Sequence, residues 1–173
     1  MRERVLGSRT VFSGRILSLR VDEVEAADGH RSTREVIEHG GAVGMVVVHD
    51  GEVVLVRQYR HATGEVLLEI PAGRLEPGEE PEATARREMV EEVGLRAHAL
   101  EHLATYYTAA GFSNELFHLY LAQECEPAAG ETDEGEVLEV VRHPVGELDE
   151  LISSGEVRDA KSLIGLLMLA RRR

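Results

Sequence analysis

The stretch Pro71–Leu95, PAGRLEPGEEPEATARREMVEEVGL, carries the punctuation of a helix and an unusual density of acids. Pro77 and Gly78 mark a turn, Pro81 suits the first helical position, and Gly94 suits the residue just past the end. The spacing predicts a helix from about Pro81 to Val93. At 3.6 residues per turn Ala85, Met89 and Val93 share one stripe with Val90 beside it, so that face packs on a core. Glu88 and Glu92, four apart, project together from the flank of that stripe. Arg87 and Glu91 form a second such pair further round, where a salt bridge can hold the acids in place. Carboxylates held side by side repel one another unless a cation joins them. Hard cations such as magnesium take oxygen ligands and commonly bridge a few carboxylates to substrate phosphates.

Around this helix the pattern is mainly one of strands. Val43–Val48 and Glu52–Arg57 are β-rich runs, and Asp50-Gly51 between them is a strong hairpin signal. Further strands are expected over Glu65–Ile70, Ala104–Thr108, Leu116–Ala122 and Val137–His143. Upstream, Arg15–Ala26 and Ser32–His39, joined through Asp28 and Gly29, predict a separate N-terminal antiparallel sheet from Thr10 to Glu38. Two helices close the chain, at about Val145–Ser153 and Lys161–Arg172. Strands outnumber helices without regular βαβ alternation, so the fold class is α+β.

Composition excludes several functions. A chain of 173 residues with 43% hydrophobic content can bury one sizeable core. The net charge of -13 argues against coating a nucleic acid, whose affinity for proteins comes from lysine and arginine on phosphates. An acidic protein that handles phosphates needs metal ions. The single cysteine, Cys125, cannot form an intramolecular disulfide, no signal peptide is evident at the start, and no apolar run reaches membrane-spanning length. These features predict a soluble cytoplasmic protein with no membrane partner.

The acidic helix and its approach resemble a family signature. Gly73, then Glu79, then Arg87-Glu88, aliphatic Met89, Glu91-Glu92, Gly94 and aliphatic Leu95 match every fixed position of the Nudix box, the mark of the Nudix hydrolases. A solvated acidic helix would not require that full pattern. The resemblance implies an α/β/α sandwich and metal-dependent hydrolysis of a nucleoside diphosphate linked to another moiety. Together with the upstream strands it implies an N-terminal β segment over 1–40 and a hydrolase domain over 41–173.

The surroundings of the box are similar to those of ADP-ribose pyrophosphatases. Val56–Gly73, VRQYRHATGEVLLEIPAG, resembles the strand and loop that lead into the box there, and YTAAGFSNE (Tyr107–Glu115) resembles the loop beyond it. Ala110 stands where that subfamily's loop has a proline. The resemblance implies hydrolysis of ADP-ribose to AMP and ribose 5-phosphate with Mg2+, or with Mn2+ or another divalent cation. The alternative is another nucleoside diphosphate sugar or a dinucleoside polyphosphate. A noncatalytic nucleotide sensor is a third reading, against which the intact box and the lack of a basic module count.

By resemblance Glu88 and Glu92 are metal ligands, joined by the backbone carbonyl of Ala72, with Glu136 an additional ligand. Glu91 supports the cluster through Arg87 or through a shared metal, Glu79 is an outer carboxylate, and Gly73 lies on the substrate side. A metal-bound carboxylate is a poor proton acceptor, so the general base is expected elsewhere. The resemblance to ADP-ribose pyrophosphatases, which carry a catalytic acidic loop before the strand similar to VLEVV, implies the segment ETDEGEVLEV, with Glu134 as the base. Arg60 can meet a phosphate as a bidentate donor or serve as a surface charge. Glu115 is expected at ribose hydroxyls or the metal site, and Phe112 either lines the site or anchors its loop. The eight histidines show no metal-ligand spacing. Subfamily members are homodimers with exchanged N-terminal strands, for which Thr10–Glu38 is the material here.

Overall fold

The computed structural model describes residues 2–130 and 137–172. The chain divides into two units, one formed by Met1–Gly41 and Tyr106–Phe117, the other by Ala42–Thr105 and His118–Arg173.

In the first unit β1 (Arg4–Ser13), β2 (Leu17–Glu25) and β3 (Arg31–His39) form an antiparallel sheet in sequence order. Cross-strand polar pairs hold it. Arg4 and Arg31 both bond Glu25, which each faces directly, and Ser8 donates to its opposite number Asp22 at 2.6 Å. The sequence pattern misses β1, because nearly every residue of RVLGSRTVFS is exposed and no face alternates. At the end of β3 the backbone of Ile37 donates to Phe112 O at 2.7 Å and accepts from Asn114 N at 3.1 Å.

In the second unit β4 (Ala42–His49) and β5 (Glu52–Arg60) form the expected hairpin. Asp50 and Gly51 both have positive φ, 53° and 79°, which a two-residue turn of this hand requires. The sheet runs β10-β5-β4-β9-β8, with β8 at Leu95–Tyr107, β9 at Leu116–Pro127 and β10 at Leu138–Pro144. β8 begins nine residues before its predicted start at Ala104. Its first half, LRAHALEHL, is rich in helix formers, and the buried positions Leu95 and Ala97 decide for strand through packing.

β4 and β5 pair only near their turn, over Val47–His49 and Glu52–Val54. Beyond that they part. β6 (Glu65–Glu69) pairs with the far half of β5, and β7 (Ala72–Arg74) pairs with Ala42–Gly44 of β4. The intervening Ile70-Pro71 is thereby drawn into the middle of the sheet, where Met45 N donates to Pro71 O at 2.9 Å.

Among the described residues the helices are α1 (Pro81–Val93), α2 (Leu148–Ser154) and α3 (Ala160–Ala170), with one 3-10 turn at Val145–Glu147 where the predicted helix begins. Side chains alternate along β4, and the two faces serve different helices. Val43, Met45 and Val47 cluster with Ala85, Met89 and Val93 of α1. Val46 of the opposite face lies against Gly165 of α3, where a Cβ would come within 2.7 Å of its methyl. The sheet is covered on both sides, which is why every residue from Ala42 to Val47 is buried. This is the α+β sandwich that the sequence predicts.

Candidate active site

α1 begins at Pro81 and ends at Gly94, whose φ of 64° and N–H bonds to Met89 O and Val90 O close the helix. Its first turn is fixed by the bend before it, where Gly78 has φ 82° and Glu79 N donates to Glu76 O at 3.0 Å. With the apolar stripe buried, the flank bearing Glu88 and Glu92 meets β7.

One guanidinium organises the acids. Arg87 donates to Glu79 through Nε and Nη2 at 3.2 Å each, and to Glu91 at 2.8 Å, while its Nη1 lies 3.0 Å from Glu88 Oε1. These carboxylates, Glu79 first and then Glu88 and Glu91, push the Arg87 pKa far above its ordinary value. The same pair holds Glu79 below the usual glutamate range, with burial working the other way.

Glu92 is 5% exposed and accepts from Ala72 N at 2.9 Å. Glu88 presses against the adjacent residue. A Cβ built on Gly73 would lie 1.9 Å from Glu88 Cδ and 2.0 Å from Oε1, so only glycine admits the carboxylate here. Helix and strand thus bring Ala72, Gly73, Glu88, Glu91, Glu92 and Arg87 together.

Among the described residues no three acidic, histidine or cysteine side chains already form a metal cage. The donor set still suits a hard cation: carboxylate oxygens in excess of the neighbouring cation, beside the Ala72-Gly73 backbone. Glu134 and Glu136 lie outside the described residues.

Arg60, at the end of β5, is bound by Glu69 in a two-pronged pair, Nε to Oε1 at 2.9 Å and Nη2 to Oε2 at 2.7 Å. Glu69 is 1% exposed. Burial opposes its charge, but Arg60 and Lys161 outweigh that cost and leave its pKa lowered. Lys161, at the start of α3, bonds both Glu69 and Asp159. Sequence reading gave no role to Glu69, Lys161, Asp159 or Ser162. The available signal was an acid between Leu68 and Ile70 in a strand otherwise fit for a core.

Glu115 and Phe112 belong to the first unit. Glu115 accepts from Thr108 Oγ1 and lies 3.4 Å from His39 Nδ1. Phe112 lines a cleft of about 340 Å³ with Arg34, Val36, Tyr107 and Asn114.

Comparisons with known proteins agree with this geometry. Residues 38–164 match the NUDIX domain model and residues 3–37 match the model of the nucleoside diphosphate sugar hydrolase N-terminal domain. The chain is 38% identical to ADP-ribose pyrophosphatase of Bacillus subtilis, over 98% of this chain and 93% of that one. It is 37% identical to the methanol dehydrogenase activator of Bacillus methanolicus, over 96% and 92%. A crystal structure described as an ADP compounds hydrolase superposes with a TM-score of 0.90 at 26% identity, over 99% of this chain and 94% of that one.

Proposed function

Because the chain belongs to the Nudix family of hydrolases, we propose that it cleaves the diphosphate of ADP-ribose to AMP and ribose 5-phosphate, using Mg2+ on the acidic flank of α1. The observation that carries this is the convergence of Glu88 and Glu92 on the Ala72-Gly73 backbone. The substrate follows from the similarity to ADP-ribose pyrophosphatase over nearly the whole chain.

Enzymes of this family generally use divalent cations. Glu88, Glu92 and the Ala72 carbonyl would hold the ion, joined by Glu136. A divalent cation bound there supplies charge neutralisation for the phosphate oxygens and a site for the attacking water.

The chain's own residues do the rest. Arg87 fixes Glu88 and Glu91 in orientation. Glu134 takes the proton from water as its oxygen bonds to one phosphorus and the bridging P–O bond breaks, the leaving phosphate departing as a monoester. Arg60 meets a substrate phosphate, Gly73 lets the substrate approach, and Phe112 and Glu115 contact the nucleoside or sugar part.

The N-terminal sheet over 1–40 serves dimerisation and substrate contacts, and the protein works in the cytoplasm. Removing residues 1–37 is therefore expected to yield a monomer with weakened ADP-ribose binding. A dimer by light scattering with unchanged affinity would contradict that assignment.

A second substrate reading, another nucleoside diphosphate sugar, is favoured by the N-terminal match to nucleoside diphosphate sugar hydrolases and by Ala110. Incubation of ADP-ribose and GDP-mannose separately with Mg2+, followed by phosphatase-coupled phosphate release, decides between them. ADP-ribose is expected to be hydrolysed with the higher kcat/KM. In the same assay Glu134→Gln is expected to lower kcat by about a hundredfold or more, and Glu136→Gln to raise the Mg2+ requirement. Two silent variants would put the base elsewhere.

A further inference from the structure

Among the described residues Glu69 is the most deeply buried acid of the second unit, and the metal-site reading does not use it. Its carboxylate closes a circuit of polar contacts. Lys161 bridges Glu69 to Asp159. Asp159 Oδ2 accepts from Ser162 N at 3.0 Å and Ser162 Oγ at 2.7 Å, capping α3. Ser162 Oγ in turn accepts from Ile70 N at 2.8 Å, which returns the circuit to the residue beside Glu69. The carboxylate is therefore held through both its own backbone and its partners, and it cannot turn without breaking several buried bonds.

Arg60 lies on the open side of this circuit, its side chain 37% exposed where that of Glu69 is 1%. A guanidinium has five N–H donors, of which the Glu69 fork takes two, one on Nε and one on Nη2. The fork fixes the plane of the group and leaves its other edge to present donors. Arg60 also feels the charge of Glu92, which places it in the electrostatic reach of α1. An arginine free to rotate would lose side-chain entropy on meeting a phosphate; one already clamped has lost it in folding.

We propose that Glu69 is the positioning residue of the site, clamping the Arg60 guanidinium so that its open edge is set in advance for a diphosphate oxygen of the substrate. The inference rests on the assignment of Arg60 to a substrate phosphate. Lys161 and the cap of α3 are the frame that keeps the clamp rigid, which gives the last helix a part in substrate binding through contacts, not through any residue of its own at the phosphate.

The test is a double-mutant cycle on ADP-ribose binding, measured by titration calorimetry in EDTA so that nothing is hydrolysed. Arg60→Ala and Glu69→Gln are each expected to weaken binding by about tenfold, the worth of one charge-assisted contact. In the Arg60→Ala background, Glu69→Gln is expected to add nothing. With Mg2+ and saturating ADP-ribose, kcat of Glu69→Gln is expected to stay within about threefold of wild type, since no reacting atom is touched. Glu69→Gln with wild-type affinity, or with its full effect in the Arg60→Ala background, overturns the clamp while leaving the Arg60 assignment standing. Arg60→Ala with wild-type affinity overturns the assignment itself and the clamp with it. If Glu69→Gln fails to fold because Lys161 and Arg60 are left short of an anion, Glu69→Asp carries the same cycle. It keeps the charge but withdraws it by one methylene, and unchanged affinity in that variant overturns the clamp equally.

Discussion

At α1 three carboxylates, Glu79 of the preceding bend and Glu88 and Glu91 of the helix, share the guanidinium of Arg87. At the start of α3 the charges balance instead, Glu69 and Asp159 standing against Arg60 and Lys161, and the carboxylate of Glu69 is shared by both cations. Both clusters are partly or wholly withdrawn from water, so both must settle their charge locally. The Glu69 circuit does so with side chains alone. The α1 cluster gathers more anion than Arg87 can neutralise, and Glu92 adds another buried carboxylate against a backbone amide. That surplus is what a divalent cation would complete. The same residue type thus plays two parts, and the count of cations around each acid distinguishes them.

The difference can be broken most severely at Glu92. Glu92→Gln keeps shape and the acceptor for Ala72 N while removing the charge, and kcat for ADP-ribose is expected to fall by about a thousandfold, the several kcal/mol that metal-assisted charge stabilisation contributes. A kcat near wild type at saturating Mg2+ would remove Glu92 from the site. Gly73→Ala is next. Its φ is outside the left-handed region and the clash is with the far end of the Glu88 side chain, so the fold can survive while the carboxylate is displaced. Activity is expected to drop by about a hundredfold, as a misplacement near 1 Å costs, with unfolding free energy changed by about 1 kcal/mol or less. Comparable losses of activity and stability would make Gly73 a fold determinant instead.

The smallest effect sharpens the contrast from the other side. The Glu69 carboxyl has a lowered pKa in the folded state, so its contribution to stability is fully present above the unfolded glutamate pKa and is lost as pH falls through the folded one. Urea denaturation from pH 7 to pH 3 is expected to show wild type losing stability on the acid limb more steeply than Glu69→Gln. The difference is one proton, about 1.4 kcal/mol per pH unit at most. Parallel acid limbs would mean that Glu69 gains nothing from its two cations.

What was legible in the sequence follows from where the signals are local. Helix α1 is bounded by Pro81 and Gly94, and the β4–β5 hairpin by Asp50-Gly51, so turn and cap chemistry placed them to within a residue or two. β1 has no buried face to leave a period, and the first half of β8 is made of helix formers overruled by the packing of Leu95 and Ala97. The acids of α1 lie within one box and could be read together. The Glu69 circuit joins Arg60, Glu69 and Lys161 through folding alone, since Lys161 is 92 residues from Glu69. No spacing rule links residues so far apart, and the only trace is one acid in an apolar strand.

The claim that α1 holds an anionic surplus meant for a cation is tested most directly by Mn2+ titration of wild type and Glu92→Gln, with free Mn2+ followed by electron paramagnetic resonance. Wild type is expected to take up the ion saturably. Glu92→Gln is expected to need at least about tenfold more Mn2+ for the same occupancy, the loss of one charged ligand. Equal uptake by the two proteins would show that the ion goes elsewhere on an acidic surface and would contradict the assignment of α1 as the metal site.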